Sequence, residues 1–329
     1  MGQGSGVVTH DFFRQTSVLC LLLASGCTGQ DKDANPTDSG GVSDCELLTP
    51  TEGVVLTEGV PYGEVSSEDP EVLFRHTMDV RTPRDAEGPL PVLIMIHGGG
   101  WHSGDSKNNE ALSELYAQLG FAVFSINYTL STTESASFPT NLQDVICAIQ
   151  SVRHPDLGVD VEVDVNRIVL MGTSAGGHLS ALAGFVDGPA ELLQSPFCPE
   201  SYPPARVDLV VDYFGPSDLS LSAQDANENN AATRMIGDDY ANASNRWMAA
   251  SPVSHVDAND PPILIAHGTA DSSVTSEHSV RLHEAIQAAG GESTLVLVED
   301  AEHGFHRNTD LNREVRCVLD PLMRELLDL

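Results

Sequence analysis

The chain has 329 residues, 41% of them hydrophobic and 19% charged, a composition that can build a sizeable core as one large domain or two small ones. Acidic residues outnumber basic ones so heavily that the formal net charge is −32, and the only lysines are Lys32 and Lys107. This balance argues against nucleic-acid or anionic-membrane binding, which depend on basic residues near phosphate, and gives a self-repelling, well-solvated surface.

The first element is a leader. Within "SVLCLLLASGC" an apolar run has the length of a signal-peptide core and is too short to span a bilayer. The small residues Ala24-Ser25-Gly26 ahead of Cys27 resemble the lipobox of bacterial lipoproteins, although Ala24 stands where leucine is more usual and Arg14 is offset by Asp11. The expectation is a signal peptide over 1–26 with Cys27 as the lipid anchor, and plain secretion as the alternative. That places the protein at an outer membrane or cell surface, otherwise in the periplasm or medium, touching membrane only through the anchor. Residues 27–44 are polar and acidic, a tether that cannot bury enough to order itself. Asp31, Asp33 and Asn35 imitate a calcium loop, but Pro36 and Val42 occupy its glycine and glutamate positions, which excludes it. A catalytic domain is expected over 45–329.

Cys20 lies in the apolar run, leaving Cys45, Cys147, Cys198 and Cys317, widely spaced and without the paired spacing of a zinc site. In an exported chain four cysteines allow three pairings; Cys147–Cys198 with Cys45–Cys317 is preferred, and buried free thiols are the alternative.

Short apolar runs then recur at Val92–Ile96, Phe121–Ile126, Ile168–Met171, Leu209–Phe214, Ile263–Ala266 and Leu295–Val298, as expected of parallel strands covered on both faces. Helical spacing joins Leu142, Val145, Ile146, Ile149 and Val152, and again Leu311, Val315, Val318, Leu319, Leu322 and Leu326. Segments near Val54–Leu56 and Val72–Val80 read as an antiparallel start. The expected fold is one α/β domain with a doubly wound, mostly parallel sheet of about eight strands.

Such sheets bind ligands outside the carboxyl ends of their strands. "HGGGW" follows Ile96, "GTSAGG" follows Met171, "HGTAD" follows Ala266 and "EDAEHGF" follows Val298. A serine hydroxyl is a poor nucleophile without a base and a group to orient that base. Ser174, between glycines on a strand–turn–helix element, has the setting of a nucleophile elbow, and Asp271 and His303 follow in the order Ser…Asp…His. Taken singly, each has an ordinary reading: a turn serine, a helix cap, a surface histidine. Asp218 and Glu302 are the other candidates for the acid. The N–H groups of Gly99, Gly100 and Ala175 are the expected oxyanion donors. His97, His178 and His267 read as structural, and Trp101 as a wall of the acyl pocket or a core residue.

"HGGGW", "FPTNLQDV", "GTSAGGHLSAL", "DYFGPSDL", "ASPVSHV", "PPILIAHGTADSSV" and "EDAEHGF" together resemble the α/β-hydrolase esterases, in the hormone-sensitive-lipase-like and feruloyl-esterase-like branches, over roughly residues 70 to 327. The resemblance implies an α/β-hydrolase fold and hydrolysis of carboxylic esters by Ser174, Asp271 and His303, with no metal or organic cofactor. Two departures stand out. Thr129 follows Tyr128 where the family usually has arginine, so a structural ion pair is expected to be missing. No helical cap precedes the first strand; residues 215–261 form the cap candidate, and a small cap suits short acyl groups on larger molecules. Acetyl or feruloyl esters of polysaccharide are the favoured substrates. An amidase, formamidase or peptidase of the same fold, or a non-catalytic binding protein, is the alternative.

Overall fold

The structure is a computed structural model that describes residues 45–51, 53–327 and 329. The expected leader, the Cys27 anchor and the acidic tether lie outside the described residues. Eight strands form one sheet: β1 (Val54–Pro61), β2 (Thr77–Pro83), β3 (Leu90–Ile96), β4 (Ala122–Ile126), β5 (Val163–Thr173), β6 (Leu209–Tyr213), β7 (Ile263–Gly268) and β8 (Ser293–Val298). Their order is β1-β2-β4-β3-β5-β6-β7-β8, antiparallel where β2 meets β1 and β4 and parallel elsewhere.

The ten helices are α1 (Pro70–Arg75), α2 (Glu110–Gln118), α3 (Thr140–Val152), α4 (Ala175–Phe185), α5 (Ala190–Leu193), α6 (Leu219–Ser222), α7 (Ala226–Ile236), α8 (Tyr240–Ala249), α9 (Glu277–Ala289) and α10 (Thr309–Leu327), counted among the described residues. Every residue of β3, β4, β6 and β7 is buried, so these strands read as near-continuous apolar runs, broken by Ser125, Asp212 and His267. Side chains of β3 still divide by face. Val92, Ile94 and Ile96 pack with α3 and α4, whereas Leu93 and Met95 pack with α2 and α10.

One segment differs from expectation. Val72–Val80 is not a single strand: α1 occupies Pro70–Arg75 and β2 begins at Thr77. Asp69 caps that helix by accepting the N–H of Glu71 at 2.9 Å, and Pro70 supplies a fixed φ in its first turn. Local capping therefore overrides the apolar run Val72–Leu73–Phe74.

Both preferred disulfides are present. Cys147–Cys198 joins α3 to the segment after α5, and Cys45–Cys317 joins the chain ahead of β1 to α10. The second is reinforced: buried Asp320 pairs with Arg316 at 2.6 Å and accepts the N–H of Leu48 at 2.9 Å. The cap candidate comprises α6, α7, α8 and a 3₁₀ turn at Pro252–Ser254.

The chain reverses its direction across the sheet at β3, with β4 on one side and β5 on the other. The carboxyl ends of β3 and β5 thus form the switch point, and the glycine-rich turns follow those two strands.

Candidate active site

Ser174 occupies the tight turn between β5 and α4 with φ +55°, a left-handed conformation held although the residue has a side chain. The flanking glycines are steric requirements. A Cβ on Gly172 would stand 2.1 Å from the carbonyl oxygen of Gly176, and one on Gly176 would stand 2.2 Å from that of Ile96. The Ser174 N–H donates to the carbonyl of Tyr213 at 2.8 Å, fixing the turn to β6.

His303 reaches the serine from the loop after β8: its Nε2 lies 3.0 Å from Ser174 Oγ. Nδ1 lies 2.7 Å from Oδ2 of Asp271, in the loop after β7. With Nδ1–H donating to the carboxylate, Nε2 is left to accept the serine hydroxyl. Phe214 packs edge-on against the imidazole, ring centroids 4.7 Å apart.

Burial alone would raise the pKa of Asp271, but hydrogen bonds from His267, His303 and the Val274 N–H outweigh it and hold the carboxyl well below the usual range. The N–H groups of Ser273 and Val274 donate to Oδ1 at 2.8 and 2.9 Å. His267 stands 3.4 Å from Oδ2, held by Ser279 and the carbonyl of Val274. The other acid candidates are engaged elsewhere. Asp218 pairs with Arg281 at 2.9 Å and caps α6, and Glu302 accepts from the Ser272 hydroxyl at 3.0 Å.

The glycine turn after β3 lies beside this line. Gly100 and Ala175 border the cavity at Ser174, and Ala175 is the first residue of α4, so its N–H has no intrahelical acceptor. Gly99 has φ +121°, and a Cβ there would stand 2.1 Å from the carbonyl oxygen of Ser103. Gly98, which motif spacing alone does not single out, abuts Ser174: its Cβ would sit 3.2 Å from that of Ser174. The one available signal was the unbroken run of three glycines.

Trp101 lines the cavity and is also buried. Its indole N–H donates to Nδ1 of His178 at 3.1 Å, and the other ring nitrogen of His178 donates to the carbonyl of Ala250 at 2.7 Å. Burial lowers the pKa of His178 to about 4, so it is a neutral strut between the glycine turn and the end of the cap. His97 is likewise buried, pushed to about 4, and donates to the Gly98 carbonyl at 2.7 Å while stacking on Tyr128.

The cavity encloses about 270 Å³. Trp101, Pro216, Ala231 and Val274 contribute apolar lining, and Ser222, Glu228, Ser272 and Ser273 polar lining. The cap residues Ser222, Glu228 and Ala231 carry no motif, and only the folded chain brings them here.

Residues 78–286 match the BD-FAE family. The chain is 32% identical over 256 residues to Esterase LipQ of Mycobacterium tuberculosis, a match covering 76% of this chain and 57% of that protein. It is 27% identical over 275 residues to Dipeptidyl aminopeptidase BIII of Pseudoxanthomonas mexicana, covering 80% of this chain and 38% of that one. The chain therefore spans less than two thirds of either relative. Among solved structures, a truncated form of a carbohydrate esterase from gut microbiota superposes with a TM-score of 0.69 at 27% identity, covering 87% of this chain and all of that one (100%). The expected α/β-hydrolase fold is thereby established.

Proposed function

The chain belongs to the BD-FAE family, and on that premise we propose that it is a serine hydrolase of carboxylic esters, acting through an acyl-enzyme on short acyl or aryl esters such as acetyl or feruloyl groups on polysaccharide. The observation that carries this reading is the hydrogen-bonded line from Ser174 Oγ through His303 to Asp271, opening into a cavity.

Ser174 Oγ attacks the ester carbonyl carbon while its proton passes to Nε2 of His303. Asp271 fixes the imidazole tautomer and stabilises the imidazolium, remaining ionised. The N–H of Ala175 and those of the Gly99–Gly100 turn receive the oxyanion; each such donor is worth about 2.7–4 kcal/mol. Collapse expels the alcohol, protonated by His303, and leaves the acyl group on Ser174. A water then gives its proton to His303, attacks the acyl carbon, and the acid departs as the serine is restored.

A cavity of about 270 Å³ has the volume of about nine waters, which favours short acyl groups. Export, with a lipid on Cys27 and a tether over 27–44, belongs to the same reading, and two disulfides support an oxidising compartment.

The test is hydrolysis of p-nitrophenyl acetate, butyrate and decanoate by the purified protein and its Ser174→Ala variant, beside a dipeptide p-nitroanilide. Rates that fall with chain length and vanish in the variant are expected. Faster cleavage of the anilide would move the assignment to a peptidase, as one relative's name suggests. A folded but inert wild type would favour a binding role.

A further inference from the structure

One carboxylate in the cavity wall has no part in the steps above. Glu228 on α7 is 9% exposed. Its Oε2 accepts from Ser222 Oγ and from His278 Nε2, both at 2.8 Å, and its Oε1 accepts the N–H of Thr275 at 3.2 Å. A carboxylate has about four acceptor sites. Three are taken by these partners, and the residue borders the cavity. Burial pushes its pKa up, but hydrogen bonding and charge from His278, with Ser222 and the Thr275 N–H, hold it below the ordinary glutamate value, so the group is anionic. Those three partners leave about one acceptor site, on Oε1, for a donor in the cavity.

Its position also specifies which half of an ester it meets. Thr275 directly follows Ser272–Val274, the cavity-lining segment whose N–H groups at Ser273 and Val274 hold Asp271, and His278 lies in the first turn of α9 just beyond. Asp271 in turn holds His303. Glu228 is therefore bonded to the wall that carries the base. The alcohol departs on that side, because His303 must protonate it.

We propose that Glu228 is a specificity-determining residue that accepts a hydrogen bond from a hydroxyl on the alcohol half of the ester, so that esters of polyhydroxy alcohols are selected over those of plain alkanols. This rests on the ester-hydrolase reading and adds the recognition of the leaving group to it. An alkanol ester strips water from the remaining acceptor site and returns nothing, whereas a hydroxyl replaces the lost bond.

The experiment compares kcat/KM on glycerol monoacetate, propyl acetate and acetylcholine for the wild type, Glu228→Gln and Glu228→Asp. Acetylcholine presents a cation with no N–H or O–H, which separates donor recognition from plain charge attraction. Wild type is expected to prefer glycerol monoacetate to propyl acetate by about tenfold or more, with acetylcholine not favoured. In Glu228→Gln the ratio should fall to within about threefold of unity, and Glu228→Asp, which keeps the charge but shortens the reach, should fall between. A wild-type ratio near one, an unchanged ratio in Glu228→Gln, or a preference for acetylcholine would overturn the assignment. The wild-type ratio decides alone if neither variant folds. Hydrolysis of p-nitrophenyl acetate without any such preference would remove Glu228 and leave the esterase standing; no hydrolysis of any ester would remove both.

Discussion

Nε2 of His76 stands 3.1 Å from Oδ1 of Asp144, and both side chains are buried. The other carboxylate oxygen accepts the backbone N–H of Thr129 at 2.8 Å. Thr129 thus contributes its backbone N–H to Asp144, and an ionisable partner of that carboxylate is His76, at the C-terminal end of α1. Nδ1 of that ring donates to the carbonyl of Val72 at 2.7 Å, so both ring nitrogens face acceptors and the imidazolium satisfies both. Burial opposes the charge, but the Asp144 carboxylate and the Val72 carbonyl outweigh it, and the pKa is raised.

The sign of the pH dependence follows. A raised pKa in the folded state gives stability that is complete below the unfolded value, about 6.5, and is lost as pH rises through the folded value. Removing one partner of such a pair costs about 3–5 kcal/mol. Thermal or urea unfolding of wild type and His76→Gln across that range should therefore show a gap that is widest at the acid end and narrows as pH rises. A gap independent of pH would mean that His76 is neutral in the folded protein.

Asp271→Asn should leave the fold intact and lower kcat on p-nitrophenyl acetate by about 10⁴-fold, since an amide favours the wrong imidazole tautomer. The measurement is steady-state kinetics beside circular dichroism. A loss of only a few-fold would return Asp218 or Glu302 to consideration as the orienting acid.

Gly176→Ala places a methyl 2.2 Å from the carbonyl oxygen of Ile96, with backbone on both sides of the contact. Helix propensity alone would favour the substitution by about 1 kcal/mol. Overpacking should reverse that sign and destabilise by about 3 kcal/mol or more, read from urea midpoints. Gly290→Ala is the control: nothing lies within 4 Å of its Cβ, and only the left-handed backbone, φ +85°, opposes it. It should cost about 1–2 kcal/mol.

The two disulfides close loops of different length, with sequence separations of 272 for Cys45–Cys317 and 51 for Cys147–Cys198. Loop-closure entropy alone makes loss of the longer one about 1.5 kcal/mol the more costly. Alanine pairs at each bridge, compared by calorimetry, test this. The reverse order would show that packing around the buried Cys147 dominates.

The strand-end motifs were legible because they depend on local chemistry: an apolar run, a turn that only glycine permits, and the rule that doubly wound sheets bind at one end. Ser174 and His303 are 129 residues apart, yet their order and their places after β5 and β8 bring them to the same sheet edge. Apolar periodicity failed at Val72–Leu73–Phe74, where an aspartate cap and a proline turned a strand-like run into α1.

The sequence by itself determined the parallel strands, the elbow, the candidate triad and the carboxyl edge on which they meet, since each strand-end motif is a short contiguous stretch and the order of the motifs does the rest. Only the tertiary structure decided that Asp218 belongs to Arg281, that Gly98 abuts Ser174, that His76 pairs with Asp144, and that Glu228 borders the cavity. Those pairings join side chains from separate elements. Which partners meet depends on the packing of the whole sheet and cap, to which no single stretch of sequence refers.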